Sequence, residues 1–397
     1  MQMFKNYKSI INFSVLKFIA LGLSSFSMIV LAKKIGPYQM GLAMPIFLYI
    51  TYSNYLSLGV NQVMTKNYSR TKGNSNILKF LTINLQIILF AFILNLFISY
   101  FIFSKQFFFY ISAISSIIML RGYFSSYFRV INKIFVLNYA NIIFSILLLC
   151  LVVFFTDTLD LYLYVWLISL LVVILYYFFQ KRELFLDVLK NIFVLPKYYD
   201  IKYNLIEGLK LGLTGFVSTL FLSFDRIIIN SLDISEKIKG SYQLADNFGV
   251  AFYMMATTIL FYYYPIWIQK IREDINFKNK FISNILHLFC FSPILMAVVY
   301  LCSIIIEKYI FIEFEGLSLF ITQSILIKLS VFFITLLSVV YIGMDKEKEY
   351  LIKTLYIIPF FIMLFLSSSF LNLILIPFLI ALIILCFFVY LFFIKRV

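Results

Sequence analysis

Twelve segments of mostly apolar residues dominate this sequence, and each is long enough to cross a membrane. A helix needs about 20 such residues to span the hydrocarbon core of a bilayer. Charged residues make up only 13% of the 397-residue chain, about half the usual share of roughly 25%. We therefore predict an all-α polytopic membrane protein with about 12 transmembrane helices. The predicted spans are 10–31, 41–62, 79–103, 107–130, 134–156, 159–179, 206–230, 247–268, 281–306, 317–342, 351–369 and 372–394.

The distribution of basic residues predicts the orientation of these spans. Cytoplasmic loops of membrane proteins are enriched in Lys and Arg. With the N-terminus inside, the predicted cytoplasmic segments hold 22 of the 33 basic residues, and the external loops hold six. We therefore expect a multi-pass protein whose N-terminus and C-terminus are both cytoplasmic. The net charge of +15 then reflects topology, so we expect no nucleic-acid partner.

The longest connection divides the chain into two halves of six spans each. We predict an N-terminal six-helix bundle at 1–180, a cytoplasmic interfacial linker at 181–205 and a C-terminal six-helix bundle at 206–397. The linker is basic, and its apolar positions suggest a short helix lying along the cytoplasmic interface. These positions are Leu184, Leu186, Val188, Leu189, Ile192 and Phe193.

The two halves resemble each other in sequence. The stretch LKFIALGLSSF from Leu16 matches LKLGLTGFVST from Leu209, which aligns Lys17 with Lys210. After a short insertion, PYQMGLA corresponds to KIKGSYQLA around Gly240. Because each half has six spans, the repeats are predicted to run parallel, related by an axis along the membrane normal.

Several of these motifs resemble those of a known family. LAKKIGPYQMG after the first span, SLGVNQVMTKNYSR after the second, and FDRIIINSL followed by KGSYQLADN resemble motifs of the Wzx-type polysaccharide flippases. These belong to the multidrug/oligosaccharidyl-lipid/polysaccharide (MOP) exporter superfamily. Lys33-Lys34 stands where that family often has an arginine.

The resemblance implies both a fold and a function. The fold would be two six-helix bundles around a central cavity. The function would be translocation of an undecaprenyl-pyrophosphate-linked oligosaccharide across the bacterial inner (cytoplasmic) membrane, for O-antigen or capsular polysaccharide synthesis. The expected partners are this lipid-linked oligosaccharide, the membrane lipids, and a polysaccharide polymerase with its chain-length regulator.

Charged residues within the predicted spans are candidate functional residues, because ionisable groups at membrane depth are costly and usually face a cavity or each other. We predict a cationic substrate cavity and a separate group involved in gating or ion coupling. For Lys17 and Lys210, snorkelling to the interface is an open alternative, and for Asp225 and Arg226 the alternative is an interhelical structural ion pair. The predicted cavity residues are Lys17, Arg121, Lys210 and Lys328, and the predicted gating residues are Asp225, Arg226 and Lys33.

The sign of these charges favours an anionic substrate. Residues 1–180 contain 13 basic residues but only two acids, Asp157 and Asp160, at a predicted external loop. A lipid pyrophosphate would be bound by converging cations, whereas a cation-coupled drug exporter would need an intramembrane carboxylate. A polytopic polymerase or transferase of the same pathway is a third alternative, although no predicted external loop is large. We expect no enzymatic activity, no cofactor and no metal site, with energy from a proton or sodium gradient or from downstream polymerisation.

Overall fold

The computed structural model describes residues 2–67, 74–131, 133–194, 196 and 198–393. Helices dominate these residues, and no strand occurs among them. Short 3₁₀ turns follow the first helix and the thirteenth. The helices are α1 Gln2–Ser53, α2 Val60–Asn67, α3 Asn74–Ile102, α4 Phe108–Val130, α5 Ile134–Phe155, α6 Leu159–Gln180, α7 Arg182–Lys190, α8 Tyr198–Ser231, α9 Glu236–Glu273, α10 Ile275–Tyr309, α11 Leu317–Gly343, α12 Glu347–Leu355, α13 Ile358–Ser367 and α14 Leu375–Phe393.

These helices confirm the all-α polytopic fold class. Nine helices in the described part of the chain are long and apolar enough to cross a membrane. One of them, α1, contains the first predicted span and residues 41–53 of the second, whose remaining residues lie in the 3₁₀ turn, the two residues after it and the first turn of α2. The predicted span 351–369 is divided between α12 and α13, with Pro359 in the first turn of α13. Proline suits that position because the first turn of a helix leaves its N–H groups unpaired in any case.

A single glycine separates the two predicted spans within α1. Gly36 has φ 74° and ψ 174°, a conformation that a residue with a side chain rarely adopts. Helical backbone resumes directly after it, at Pro37. The tight turn predicted at Gly36-Pro37 is therefore a one-residue break.

The helices form two compact units. Unit 1 comprises the described residues of Met1–Lys34 and Pro45–Ser218, and unit 2 those of Ile35–Met44 and Thr219–Val397. These boundaries differ from the predicted division into 1–180, 181–205 and 206–397, which stays a prediction.

Unit 1 is built on the packing of α3, α4, α5 and α6. The short helix α7 adds Phe185, which is buried among aromatic side chains. Its ring centroid lies 4.6 Å from that of Phe124 and 5.4 Å from that of Tyr127. A helix is thus present in the predicted linker, and it is anchored by an aromatic cluster.

Unit 2 is organised around α11, which packs against α9, α10 and α14 and buries most of its residues. By contrast, the only apolar side chains that α10 buries fully are Phe281 and Ile285. A polar side chain on α11 therefore has no access to solvent and must find its partners on the neighbouring helices.

Two glycines that the sequence repeat aligns meet at one helix crossing in unit 2. A Cβ on Gly41 would overlap the carbonyl oxygen of Glu236, and a Cβ on Gly240 would overlap the carbonyl oxygen of Pro37. The contacts are reciprocal, because each glycine packs against the residue four positions before the other. We name this contact the glycine crossing. Such a symmetric contact is expected when a duplicated motif packs against its own copy.

Candidate functional site

Four charged side chains from three helices of unit 2 form a buried ion-pair cluster. Helix α8 contributes Asp225 and Arg226, α9 contributes Asp246, and α11 contributes Lys328. The Lys328 ammonium lies 3.2 Å from Asp225 Oδ2 and also contacts Asp246 Oδ1. Arg226 Nε lies 3.0 Å from Asp246 Oδ2. We name these four residues the charge cluster.

Two neutral side chains donate hydrogen bonds to the carboxylates of the charge cluster. The Tyr242 hydroxyl donates to Asp225 Oδ2 at 2.7 Å, and the Ser324 hydroxyl donates to Asp246 Oδ1 at 3.4 Å. The spacing follows from the helices, since Tyr242 and Asp246, like Ser324 and Lys328, are four residues apart and share a helix face. Gly249 lies against Ser324, whose hydroxyl oxygen would overlap a Cβ at that position.

The charge cluster is electrically balanced. The Lys328, Asp225 and Asp246 side chains are 0% exposed, and that of Arg226 is 10% exposed. Two cations therefore face two anions where water has no access. Removing one partner from such an arrangement leaves an uncompensated buried charge. Asp225 Oδ1 and Asp246 Oδ2 have no hydrogen-bond partner among the described residues. Because Asp246 Oδ2 is ion-paired with Arg226, Asp225 Oδ1 is the acceptor that has neither kind of partner among these residues.

Arg121 in unit 1 has a different environment. Its guanidinium donates to Asn141 Oδ1 at 2.7 Å and lies 4.6 Å from the ring centroid of Phe144. The Tyr177 side chain contacts it as well. Within the described part of the chain, no carboxylate lies within ion-pair distance of Arg121. Its half-buried positive charge is thus held by neutral groups.

The other predicted cations have separate positions. Lys17 is half-buried in α1, while Lys210 on α8 and Lys33 on α1 are exposed. The neighbouring Lys34 donates to the carbonyl oxygen of Val153 at 2.6 Å. Of the four predicted cavity cations, three therefore lie in unit 1, and Lys328 lies in unit 2 within the charge cluster. A single cationic cavity stays a prediction.

The predicted gating pair does not pair with itself in the contacts described. Asp225 faces Lys328, and Arg226 faces Asp246, so each makes its ion pair with another helix. The sequence analysis missed Asp246 because the predicted span began at 247, whereas α9 begins at Glu236. The spacing of Tyr242, Asp246 and Gly249 on one helix face could have identified it.

Comparisons with known proteins establish the fold. No family model matches the chain, and no curated protein matches it. Several solved structures do. An inward-facing multidrug resistance MATE family transporter of the MOP superfamily is 16% identical, with a TM-score of 0.72 over 95% of this chain and 94% of that chain. The lipid II flippase MurJ in an inward closed conformation is 19% identical, with a TM-score of 0.69 over 98% and 88%.

A MATE transporter in a bent conformation is 16% identical, with a TM-score of 0.62 over 98% of this chain and 94% of that chain. Drug exporters and a lipid flippase thus share one fold with this chain. The chain has the fold of MOP-superfamily transporters and is a multi-pass membrane protein.

Proposed function

We propose that this chain is a flippase for a lipid-linked oligosaccharide with an anionic headgroup. Its substrate would be an undecaprenyl-pyrophosphate-linked repeat unit for O-antigen or capsular polysaccharide, moved from the cytoplasmic to the external leaflet of the bacterial inner membrane. Alternating access would carry the headgroup through the protein. No covalent step is needed for this transport.

The environment of Arg121 is the observation that carries this proposal. The charge cluster of unit 2 cancels its own charge, whereas Arg121 is held by an amide and an aromatic ring. The four charges of the cluster cancel, so the positive charge of Arg121 is what remains at membrane depth. A guanidinium binds phosphate oxygens with two parallel hydrogen bonds, so this balance favours an anionic substrate over a cationic drug. The fold shared with a lipid II flippase is consistent with it.

Substitution of Arg121 tests the proposal. The measurement is the rate at which purified full-length protein in proteoliposomes translocates a fluorescent undecaprenyl-pyrophosphate oligosaccharide. We expect Arg121→Gln to reduce this rate at least about tenfold, the scale of one charge-assisted hydrogen bond. Arg121→Lys should retain part of the rate because it keeps the cation. The control is Arg182→Gln, at an exposed position of α7, and we expect it to be neutral. A wild-type rate in Arg121→Gln would contradict the proposal.

Coupling to an ion gradient is the second part of the proposal. Asp225 has one carboxylate oxygen without a hydrogen-bond partner among the described residues. That oxygen could accept a proton or contact a sodium ion, after which Lys328 would lose one of its two anionic partners. We expect an imposed proton or sodium gradient to accelerate transport by the wild type and not by Asp225→Asn. The same response in both proteins would remove Asp225 from the coupling step.

A cation-coupled drug exporter is the alternative function. It is favoured by two carboxylates, Asp225 and Asp246, that lie in helices of this fold. The chain shares the fold with a MATE family transporter. Both carboxylates are already ion-paired, which leaves no free negative charge for a cationic drug in this arrangement. Expression in a drug-sensitive host separates the two functions. Resistance that depends on Asp246, with no glycan transport, would establish the exporter.

A further inference from the structure

A small apolar cleft in unit 1 has a cation at its edge. The cleft has a volume of about 90 Å³ and lies between the 3₁₀ turn after α1 and the first half of α8. The lining residues are Tyr55, Leu58, Gly59, Leu209, Gly212, Leu213 and Phe216.

The walls of the cleft are held in place by specific contacts. The Tyr55 hydroxyl donates to the carbonyl oxygen of Gly215 at 2.8 Å. The Phe216 ring packs edge-on against Tyr55 and Tyr52, at centroid distances of 5.5 and 5.7 Å. Gly59 lets the chain after the 3₁₀ turn pack closely on α8, because a Cβ there would overlap the carbonyl oxygen of Gly208. The hollow is therefore part of the packed structure.

One face of α8 continues the cleft outward as an exposed apolar stripe. Leu209 is 46% exposed, Leu213 60% and Phe216 37%. Their spacing of four and three residues places them on one side of the helix over about 10 Å, at 1.5 Å per residue. An elongated apolar chain could lie along this stripe and insert into the cleft.

Lys210 lies at the edge of the same stripe. It is exposed, and it is three residues before Leu213, which makes the two side chains neighbours on the helix surface. Within the described ranges, no carboxylate lies within ion-pair distance of Lys210. Glu207 lies one turn before Lys210 on α8 but forms no ion pair with it. An apolar cleft beside an ammonium that has no ion pair within these ranges is complementary to a lipid that carries a phosphate at one end of a long apolar chain.

We propose that this cleft binds the isoprenoid chain of a polyprenyl phosphate lipid, with the phosphate on Lys210. This inference rests on the proposed function, and it identifies where the lipid part of the substrate would bind. In this proposal Lys210 binds the lipid at the protein surface. Arg121 then contacts the headgroup while it crosses the membrane.

Photo-crosslinking tests this proposal directly. The full-length protein carries benzoylphenylalanine at Leu213 and is reconstituted in phosphatidylcholine vesicles that contain radiolabelled undecaprenyl phosphate. The control carries the same group at Leu301 on α10, because Leu301 is 62% exposed and Leu213 is 60% exposed. We expect several-fold more lipid adduct at 213 than at 301. Equal adducts at both positions would overturn the proposal.

Two further arms define the ligand. Unlabelled undecaprenyl phosphate should compete for the adduct at 213, whereas phosphatidylglycerol and undecaprenol should compete weakly. Lys210→Gln should lower the adduct about tenfold, the scale of one charge-assisted hydrogen bond. If phosphatidylglycerol competes equally well, or if Lys210→Gln leaves the adduct unchanged, the site is one for ordinary membrane lipid and the proposal is wrong.

The outcome is separate from that of the proposed function. Crosslinking that meets these criteria, combined with absent translocation of the lipid-linked oligosaccharide, would retain the lipid site and refute the flippase. Translocation by the protein with the native Lys210, with no more adduct at 213 than at 301, would retain the flippase and refute the lipid site. If a variant fails to fold, the wild-type background with the two crosslinking positions still decides.

Discussion

Lys328 shows how one residue becomes fixed by its surroundings. It lies on the most buried helix of unit 2, where an isolated ammonium would lose its hydration without compensation. Two carboxylates from two neighbouring helices supply that compensation. Lys328 therefore connects α11 to α8 and α9 through charge, in a unit otherwise held by apolar packing.

Loss of the Lys328 charge should destabilise the protein strongly. We expect Lys328→Met to lower the free energy of unfolding by about 3–5 kcal/mol, because it leaves two carboxylates facing one arginine. The measurement is thermal unfolding of the purified protein in detergent. Lys190→Met is the matched control: the Lys190 side chain is 74% exposed, so its effect should stay within about 0.5 kcal/mol.

Adding Asp225→Asn to Lys328→Met should restore part of that loss, since it removes the excess negative charge that Lys328→Met leaves. A double variant that is less stable than Lys328→Met alone would contradict charge balance as the cause. So would a Lys328→Met variant that melts with the wild type.

At the level of single residues, sequence reasoning identified the members of the charge cluster better than it identified their roles. Lys328, Asp225 and Arg226 are recognisable because charge is rare in apolar segments. Their pairing is not, because it depends on the rotation of three helices about their axes. Asp246 was missed since it precedes the apolar window that marks the span. Arg121 was recognised as a candidate, but its neutral partners come from other turns and helices.

Among the elements, α9 and α1 differ most from what hydropathy predicts. Helix α9 begins eleven residues before its predicted span, because the stretch from Glu236 to Asp246 is helical but not apolar. Hydropathy averaged along the sequence does not detect such an extension. The predicted positions of the other spans, except 351–369, agree with the helices, since a long apolar segment in a membrane must satisfy its backbone within itself.

Helix contact at the glycine crossing leads to a prediction at Gly240. Gly240→Ala should destabilise the protein by about 1–3 kcal/mol, because the added methyl group overlaps the backbone of Pro37. Gly22→Ala in α1 is the matched control. No atom lies within 4 Å of a Cβ added there, so the substitution should be neutral or slightly stabilising. Thermal unfolding of both variants measures the difference, and equal melting temperatures would refute the close approach.

Helix α7 provides a second prediction for an element. Phe185→Ala should lower the free energy of unfolding by about 3–5 kcal/mol, the usual cost of truncating a buried phenylalanine. Phe193 in the same segment is 93% exposed, so Phe193→Ala should cost much less in detergent. The comparison is made by thermal unfolding. If both variants lose the same stability, the aromatic cluster is not what anchors α7.

For the whole molecule, the predicted orientation has a direct test. Single cysteines at Lys190 and Lys237 are introduced into a variant in which Cys150, Cys290, Cys302 and Cys386 are replaced. Both lysines are exposed. A membrane-impermeant maleimide added to intact spheroplasts should label position 237 and label position 190 only after permeabilisation. The reverse pattern would place the N-terminus outside and contradict the distribution of basic residues as a guide to topology.

The fold of the whole molecule was predictable, and its substrate was less so. Twelve apolar segments with biased loops specify a polytopic helical protein, and the motif around Gly36-Pro37 indicated the superfamily whose fold the solved structures share. That fold serves both drug exporters and a lipid flippase. The substrate must therefore be inferred from side chains such as Arg121 and Lys210, whose environments only the packed structure specifies.

The glycine crossing has a consequence for how this sequence can evolve. The first alanine at either glycine has to push the two helices apart, and the second then finds the space already open. The loss from Gly41→Ala and Gly240→Ala together should be smaller than the sum of the separate losses, which is positive epistasis between two copies of one motif. A duplicated segment that packs on its own copy thus constrains both copies at once, and either can tolerate change more easily after the other has changed.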